Sequence, residues 1–288
     1  MSELKTLIQG LGFPEGPRWR EGGLWFSDMG NNLIAKVNIE GELEKTIQIP
    51  GTPSGLGWLP DGRLLIVLME EKRIVAFGDN KITDYADLSQ LASHHCNDMV
   101  VSRNGRAYVG NFGYAAFDGG EAKTAELIMV DIDGSPKVVA DELAFPNGVV
   151  IDENDRTLVV AESLAARLTA YSINDKGDLY DRRVWAEFDQ LGIQDDIDWG
   201  RILPDGITMD SEGGIWIATP AGEGGVLRVL EGGEITARVD AKMRCYACML
   251  GGEEGKTLFI LGTEKEDGNE TVGLIKMLDV GVSKKGLP

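Results

Sequence analysis

The sequence predicts an all-β protein, a single six-bladed β-propeller spanning residues 1–288, and three observations carry that expectation. Short apolar runs of strand character recur along the chain, and long amphipathic helical patterns are nearly absent. Each run follows a polar turn rich in Gly, Asp or Asn, the local signature of a β-hairpin. A lead-in segment precedes each hairpin at intervals of roughly 40 to 60 residues, the period of a four-stranded propeller blade.

The apolar runs are residues 23–27, 63–67, 106–110, 157–161, 214–218 and 256–260. Their turns are Glu21-Gly22, Pro60-Asp61-Gly62, Arg103-Asn104-Gly105, Glu153-Asn154-Asp155, Ser211-Glu212-Gly213 and Glu253-Glu254-Gly255. The lead-in segments begin near Phe13, Thr52, Cys96, Phe145, Leu203 and Tyr246. A third run follows each hairpin, as at 33–37, 73–77 and 126–130, and a weaker fourth stretch completes most repeats. Two packed sandwiches would explain the strands but not the regular return of the lead-in segment. Ring closure calls for a strand from one terminus, and residues 4–9 are the candidate, pairing near 272–278. The longest insertion, residues 187–199, reads as a loop over the pocket mouth, and its Asp195-Asp196 and Asp198 as a solvated acidic cluster.

Bulk properties narrow the function. With 47 acidic and 28 basic side chains the formal charge is −19, which disfavours nucleic acid and anionic membranes as partners. No apolar run approaches the ~20 residues of a membrane span. The opening Met1-Ser2-Glu3-Leu4-Lys5-Thr6 has no signal-peptide pattern, so a cytoplasmic location is expected. Cys96, Cys245 and Cys248 are then reduced thiols, too few for a disulfide framework. No feature fixes the oligomeric state.

Four lead-in segments carry acidic or amide side chains in the same repeat phase: Phe13-Pro14-Glu15-Gly16-Pro17, Cys96-Asn97-Asp98, Phe145-Pro146-Asn147-Gly148 and Leu203-Pro204-Asp205-Gly206. The first strand of each blade lines a propeller's central channel, so Glu15, Asn97, Asn147 and Asp205 should meet on the axis. Two carboxylates and two carboxamides make an oxygen-only ligand ring for one divalent cation. Calcium is the first expectation, with Zn²⁺, Mn²⁺, Mg²⁺ and Fe²⁺ open. The plainer alternative is that these are turn formers, as Pro60-Asp61-Gly62 is within the second hairpin.

Those segments resemble the SMP-30/gluconolactonase/LRE-like family. The resemblance rests on Glu15-Gly16-Pro17-Arg18-Trp19, Asn97-Asp98 with Gly105, Phe145-Pro146-Asn147-Gly148, Pro204-Asp205-Gly206 with Asp210, Gly213-Gly214-Ile215-Trp216, and Gly251-Gly252 before Thr257-Leu258. It implies a six-bladed propeller with one catalytic divalent metal held at Glu15, Asn147 and Asp205. Asn97 would complete the shell or bind substrate, and Asp205 resembles the family's proposed general base. On chemistry alone Glu15 fills that role equally well.

The expected activity is metal-dependent opening of a small lactone. The alternatives are an arylesterase or phosphotriesterase on the same site, or a non-catalytic calcium-binding propeller. Where sugar lactonases of this family often carry an Arg before the Asn-Asp pair, this chain reads His94-His95-Cys96, which counts against that mode of sugar recognition. His95 is a candidate substrate contact or proton shuttle, the alternative being a solvated pair with His94. Ser54 and Tyr246, opening the second and sixth repeats, are further substrate candidates. Phe112 or Tyr114, with Trp199, would make the rim tolerant of apolar groups. Cys245-x-x-Cys248 lacks the context of a redox or zinc motif and reads as two small buried thiols.

Overall fold

The computed structural model describes residues 3–188, 201–221, 225–265 and 271–288. The insertion expected over the pocket mouth, including Asp195, Asp196, Asp198 and Trp199, falls outside the described residues from 189 onward. Six four-stranded sheets form the ring of a six-bladed β-propeller. Five follow chain order, as in the first blade, where Pro14–Arg20, Gly23–Asp28, Leu33–Val37 and Leu43–Gln48 are neighbours.

The sixth blade closes the ring. Strand Lys5–Leu11 lies antiparallel to Thr271–Asp279, with Lys5 opposite Met277 and Leu11 opposite Gly273. The last blade thus mixes both ends of the chain, and the hydrogen bonds between these two strands latch the ring shut.

The innermost strands are Pro14–Arg20, Pro53–Trp58, Cys96–Val101, Pro146–Ile151, Ile207–Met209 and Arg244–Gly251. Each packs on the innermost strands of both neighbouring blades. The second strands are buried on both faces, and Leu64–Leu68 is buried at every residue. Continuous apolar runs such as Leu64-Leu65-Ile66-Val67-Leu68 therefore reflect sheet stacked on sheet. Leu65, Val67 and Ile74 of one blade, for instance, pack with Met99, Val101 and Val109 of the next.

At the far ends of the innermost strands the segment after the last strand crosses three blades. Lys284 N–H donates to Gly255 O at 2.8 Å, Lys285 N–H to Met209 O at 3.0 Å, and Leu287 N–H to Ile151 O at 2.7 Å. Burial pushes the Lys284 ammonium down to about 8, and the Arg18 charge adds to it. Among the described residues, no helix is long and apolar enough to cross a membrane.

Candidate metal centre and substrate cavity

The site is built at the start of the innermost strands. In five blades the ladder to the second strand is irregular at this level: between Glu15 and Arg18, Pro53 and Leu56, Cys96 and Met99, Pro146 and Val149, and Cys245 and Ala247. A bulge re-aims a side chain out of the regular alternation, which frees these positions from facing a neighbouring sheet.

The residue after the turn-in must be small, because the blades nearly touch there. A Cβ on Gly16 would lie 2.7 Å from Ser54 O, one on Gly148 2.5 Å from Asp205 O, and one on Gly206 2.7 Å from Ala247 Cα. The third blade departs from this pattern with Asp98, whose carboxylate is buried beneath the ring. It binds Arg18 Nη2 at 2.7 Å and accepts Met99 N–H at 2.8 Å. Arg18 also donates to Leu56 O at 2.8 Å, to Pro17 O at 2.7 Å and to Met99 O, so one buried ion pair ties the first three blades together.

Above this level opens a cavity of about 340 Å³, and Glu15, Asn97, Asn147 and Asp205 all line it. Tyr246 and Phe112 line it too. Two other candidates sit elsewhere. Ser54 is 3% exposed and absent from the cavity wall, its carbonyl accepting Ser27 Oγ at 2.5 Å. His95 stands behind the wall: its carbonyl accepts Phe112 N–H at 2.9 Å and its ring lies 5.9 Å from that of Phe112. The His94 ring lies tilted against His95 at 4.2 Å, and burial, then the His95 charge, push its imidazole down. Tyr114 is buried in the aromatic cluster behind Phe112.

The electrostatics of the cavity are one-sided. Burial pushes the Glu15 carboxyl up to about 8, with the Asp98 charge adding and the Gly16 N–H, 3.0 Å from Oε2, opposing. Asp205 lies well above the usual carboxylate range, from burial first and then the charges of Glu15 and Asp98, opposed by the Asn147 amide. None of the described residues lining the cavity is Lys, Arg or His. Two half-buried carboxylates on one cavity, with no described cationic side chain in its wall, are costly to ionise together, and a bound dication offsets that cost. The donor set therefore fits a hard divalent cation held by Glu15, Asn97, Asn147 and Asp205. No three His, Cys, Asp or Glu side chains group as metal ligands among the described residues, and the candidate set here is two carboxylates with two carboxamides.

A second layer positions these four residues, and sequence reading missed it. In the same four blades a buried polar side chain ends the second strand and reaches back to the lead-in loop. Asp28 accepts the N–H groups of Gly12 at 3.1 Å and Phe13 at 2.9 Å. Asn111 accepts from His94 N–H at 3.4 Å, Glu162 from Ala144 N–H at 2.8 Å, and Thr219 from Leu203 N–H at 3.1 Å. All four are at most 2% exposed. The signal was present: the residue just after each apolar run of those blades is polar (Asp28, Asn111, Glu162, Thr219), whereas the second blade has Leu68 there.

The rest of the described wall is apolar but for Ser163. Phe13, Met29, Met69, Phe117, Phe145, Leu164, Leu203 and Pro220 complete it with Ser163. Phe112 and Phe145 stack at 4.5 Å, and Phe117 meets both edge-on at 5.8 and 6.3 Å. Phe145 holds a left-handed backbone, φ 60°, directly before Pro146. For a bulky residue that conformation costs ~1–3 kcal/mol, and such strain clusters at functional sites. Cys245 and Cys248 are buried thiols packed between the fifth and sixth blades, pushed up by burial, Cys245 to about 12.

Comparison with known proteins agrees with this architecture. The luciferin-regenerating enzyme superposes with a TM-score of 0.82 over 99% of this chain and 98% of that one, at 16% identity. A regucalcin from Agrobacterium tumefaciens, described as a calcium-binding protein, gives 0.78 over 99% and 95% at 20% identity. By sequence, Regucalcin of Danio rerio is 26% identical over 94% of this chain and 89% of its own. A Bacillus subtilis protein provisionally named sugar lactone lactonase YvrE is 25% identical over 88% and 85%. The family model for the SMP-30/Gluconolactonase/LRE-like region matches residues 13–264, and the chain belongs to that family.

Proposed function

We propose that the protein is a divalent-metal-dependent hydrolase that opens a lactone. The observation that carries the reading is that Glu15, Asn97, Asn147 and Asp205 line one cavity with no cationic side chain among its described lining residues. The names of relatives support it: a lactonase in Bacillus subtilis, and a gluconolactonase from Xanthomonas campestris at 21% identity and a TM-score of 0.75. Calcium is the favoured ion, from the all-oxygen donor set and from the calcium-binding description of the Agrobacterium regucalcin.

A bound dication would polarise the lactone carbonyl and lower the cost of negative charge on its oxygen. One carboxylate then accepts the proton of the attacking water, and that proton returns to the ring oxygen as the C–O bond breaks. Asp205 matches the family's proposed base, and Glu15 stands beside it with one oxygen already engaged by Gly16 N–H. The Asn147 amide bonds the Asp205 carboxyl and donates to Ser163 Oγ at 3.3 Å, which fixes its orientation. Ser163 in turn donates to Pro204 O at 2.7 Å. The aromatic wall gives an arylesterase reading a foothold that phenyl acetate tests directly.

The three free, buried cysteines support a cytoplasmic location. The experiment is hydrolysis of γ- and δ-lactones by protein stripped with chelator and refilled with single cations. Turnover that returns with a cation is expected. Phenyl acetate or phosphotriester turnover without lactone turnover would move the assignment to the second reading, and no turnover of any kind would leave a non-catalytic cation-binding propeller.

A further inference from the structure

We infer that the substrate is a lactone bearing an apolar alkyl or aryl substituent, not a polyhydroxylated sugar lactone; this rests on the hydrolase reading above. The argument is the shape of the cavity's chemistry. Its polar groups are concentrated at the floor, in the Glu15, Asn97, Asn147 and Asp205 set. Beyond that set the described wall offers only two hydroxyls, Ser163 and Tyr246. The Ser163 hydroxyl hydrogen is committed to Pro204 O at 2.7 Å, and its oxygen accepts from Asn147. The Tyr246 ring is packed on Phe13 at 4.6 Å.

A sugar lactone brings several hydroxyls, each donor and acceptor, and each needs a partner once out of water. The described wall supplies few of them. It does supply a continuous apolar face from three blades, with Met69, Phe112, Phe145 and Leu164 in one packed cluster. Phe117 stands at its edge, 66% exposed, with the other two phenylalanines beside it. A large aromatic left in solvent beside an apolar cavity is a surface that a bound apolar group covers. The strained backbone at Phe145 points the same way, because φ 60° is held at the residue whose ring forms the centre of that face.

The test is the specificity constant of the metal-loaded protein on a matched panel: D-glucono-δ-lactone, unsubstituted δ-valerolactone, δ-lactones with alkyl chains of increasing length, and dihydrocoumarin. The expected result is a rise in kcat/KM of up to about fourfold per added methylene until the cavity is filled, with the glucono lactone slowest. Phe117→Ser is expected to flatten that dependence through a KM about threefold to tenfold higher for the longest chains. Glucono lactone turned over as well as or better than the alkyl lactones would overturn this inference and leave the hydrolase reading standing. No turnover of any lactone with any cation would overturn the hydrolase reading, and this inference with it. A chain-length dependence untouched by Phe117→Ser would show that the aromatic face does not hold the substituent.

Discussion

At the residue scale, the chemistry turns on two carboxylates that are expensive to ionise together. Glu15→Gln and Asp205→Asn should each lower kcat/KM by roughly 10² or more while the propeller stays folded, since neither side chain contributes to a sheet or to the apolar core. Circular dichroism with kinetics on the same sample checks this, and near-full activity in either variant would remove that residue as the base. The raised carboxyl also gives a pH dependence with a definite sign. The folded, cation-free protein holds a Glu15 proton up to about 8, whereas an unperturbed glutamate carboxyl releases it near 4.5. Across that window the fold binds more protons than the unfolded chain, so stability falls as pH rises through it and is lost fully above the folded value. The expected outcome is a Tm of chelator-treated protein that drops between about pH 5 and 8, a shallower drop in Glu15→Gln, and recovery of the wild-type loss on adding cation. A Tm that rises through that range would contradict the assigned burial.

At the scale of the elements, the site is held by devices that repeat from blade to blade. The glycines beside the ring let the innermost strands close to contact, so Gly148→Ala drives a Cβ to 2.5 Å from Asp205 O. Backbone must move to relieve that, at a cost of ~1–3 kcal/mol, and Asp205 moves with it. Both Tm and turnover should fall together. Asp28→Asn is subtler: it keeps the shape but weakens the acceptor that holds Gly12 and Phe13, two residues ahead of Glu15. Its expected effect is about 10- to 100-fold weaker cation binding in calorimetry, the usual penalty for disturbing the layer behind a metal's ligands. Unchanged affinity would show that the loop is held by other means.

Asp98→Asn removes the partner of a buried guanidinium, and thermal or urea unfolding should register a loss of ~3–5 kcal/mol. Much of this scale was legible in the sequence. The third run of the first repeat, 33–37, coincides with strand Leu33–Val37, and period and turn chemistry placed the other hairpins within a residue or a few of their strands. The supporting acids and amides were not read, because a polar residue closing an apolar run looks like an ordinary strand end until the fold brings the lead-in loop against it.

At the scale of the whole molecule, closure turns four short, individually weak segments into one site. Glu15, Asn97, Asn147 and Asp205 are distant in the chain and meet only because six blades return to one axis. Repeat phase made that meeting legible. The aromatic wall was half legible: Phe112 could be placed by its position after a strand, but Phe117 and Met69 come from loops whose course no period fixes. Ser54 shares the ring's phase and still misses the cavity wall, so phase identifies candidates and side-chain reach selects among them.

The measurement that bears most directly on the account is stoichiometric titration of Ca²⁺ into chelator-treated protein while lactone turnover is followed. The account predicts activity that rises linearly to a break at one cation per chain, with no such rise in Glu15→Gln or Asp205→Asn. Full turnover in the presence of excess chelator, or activation that both variants share, would contradict it.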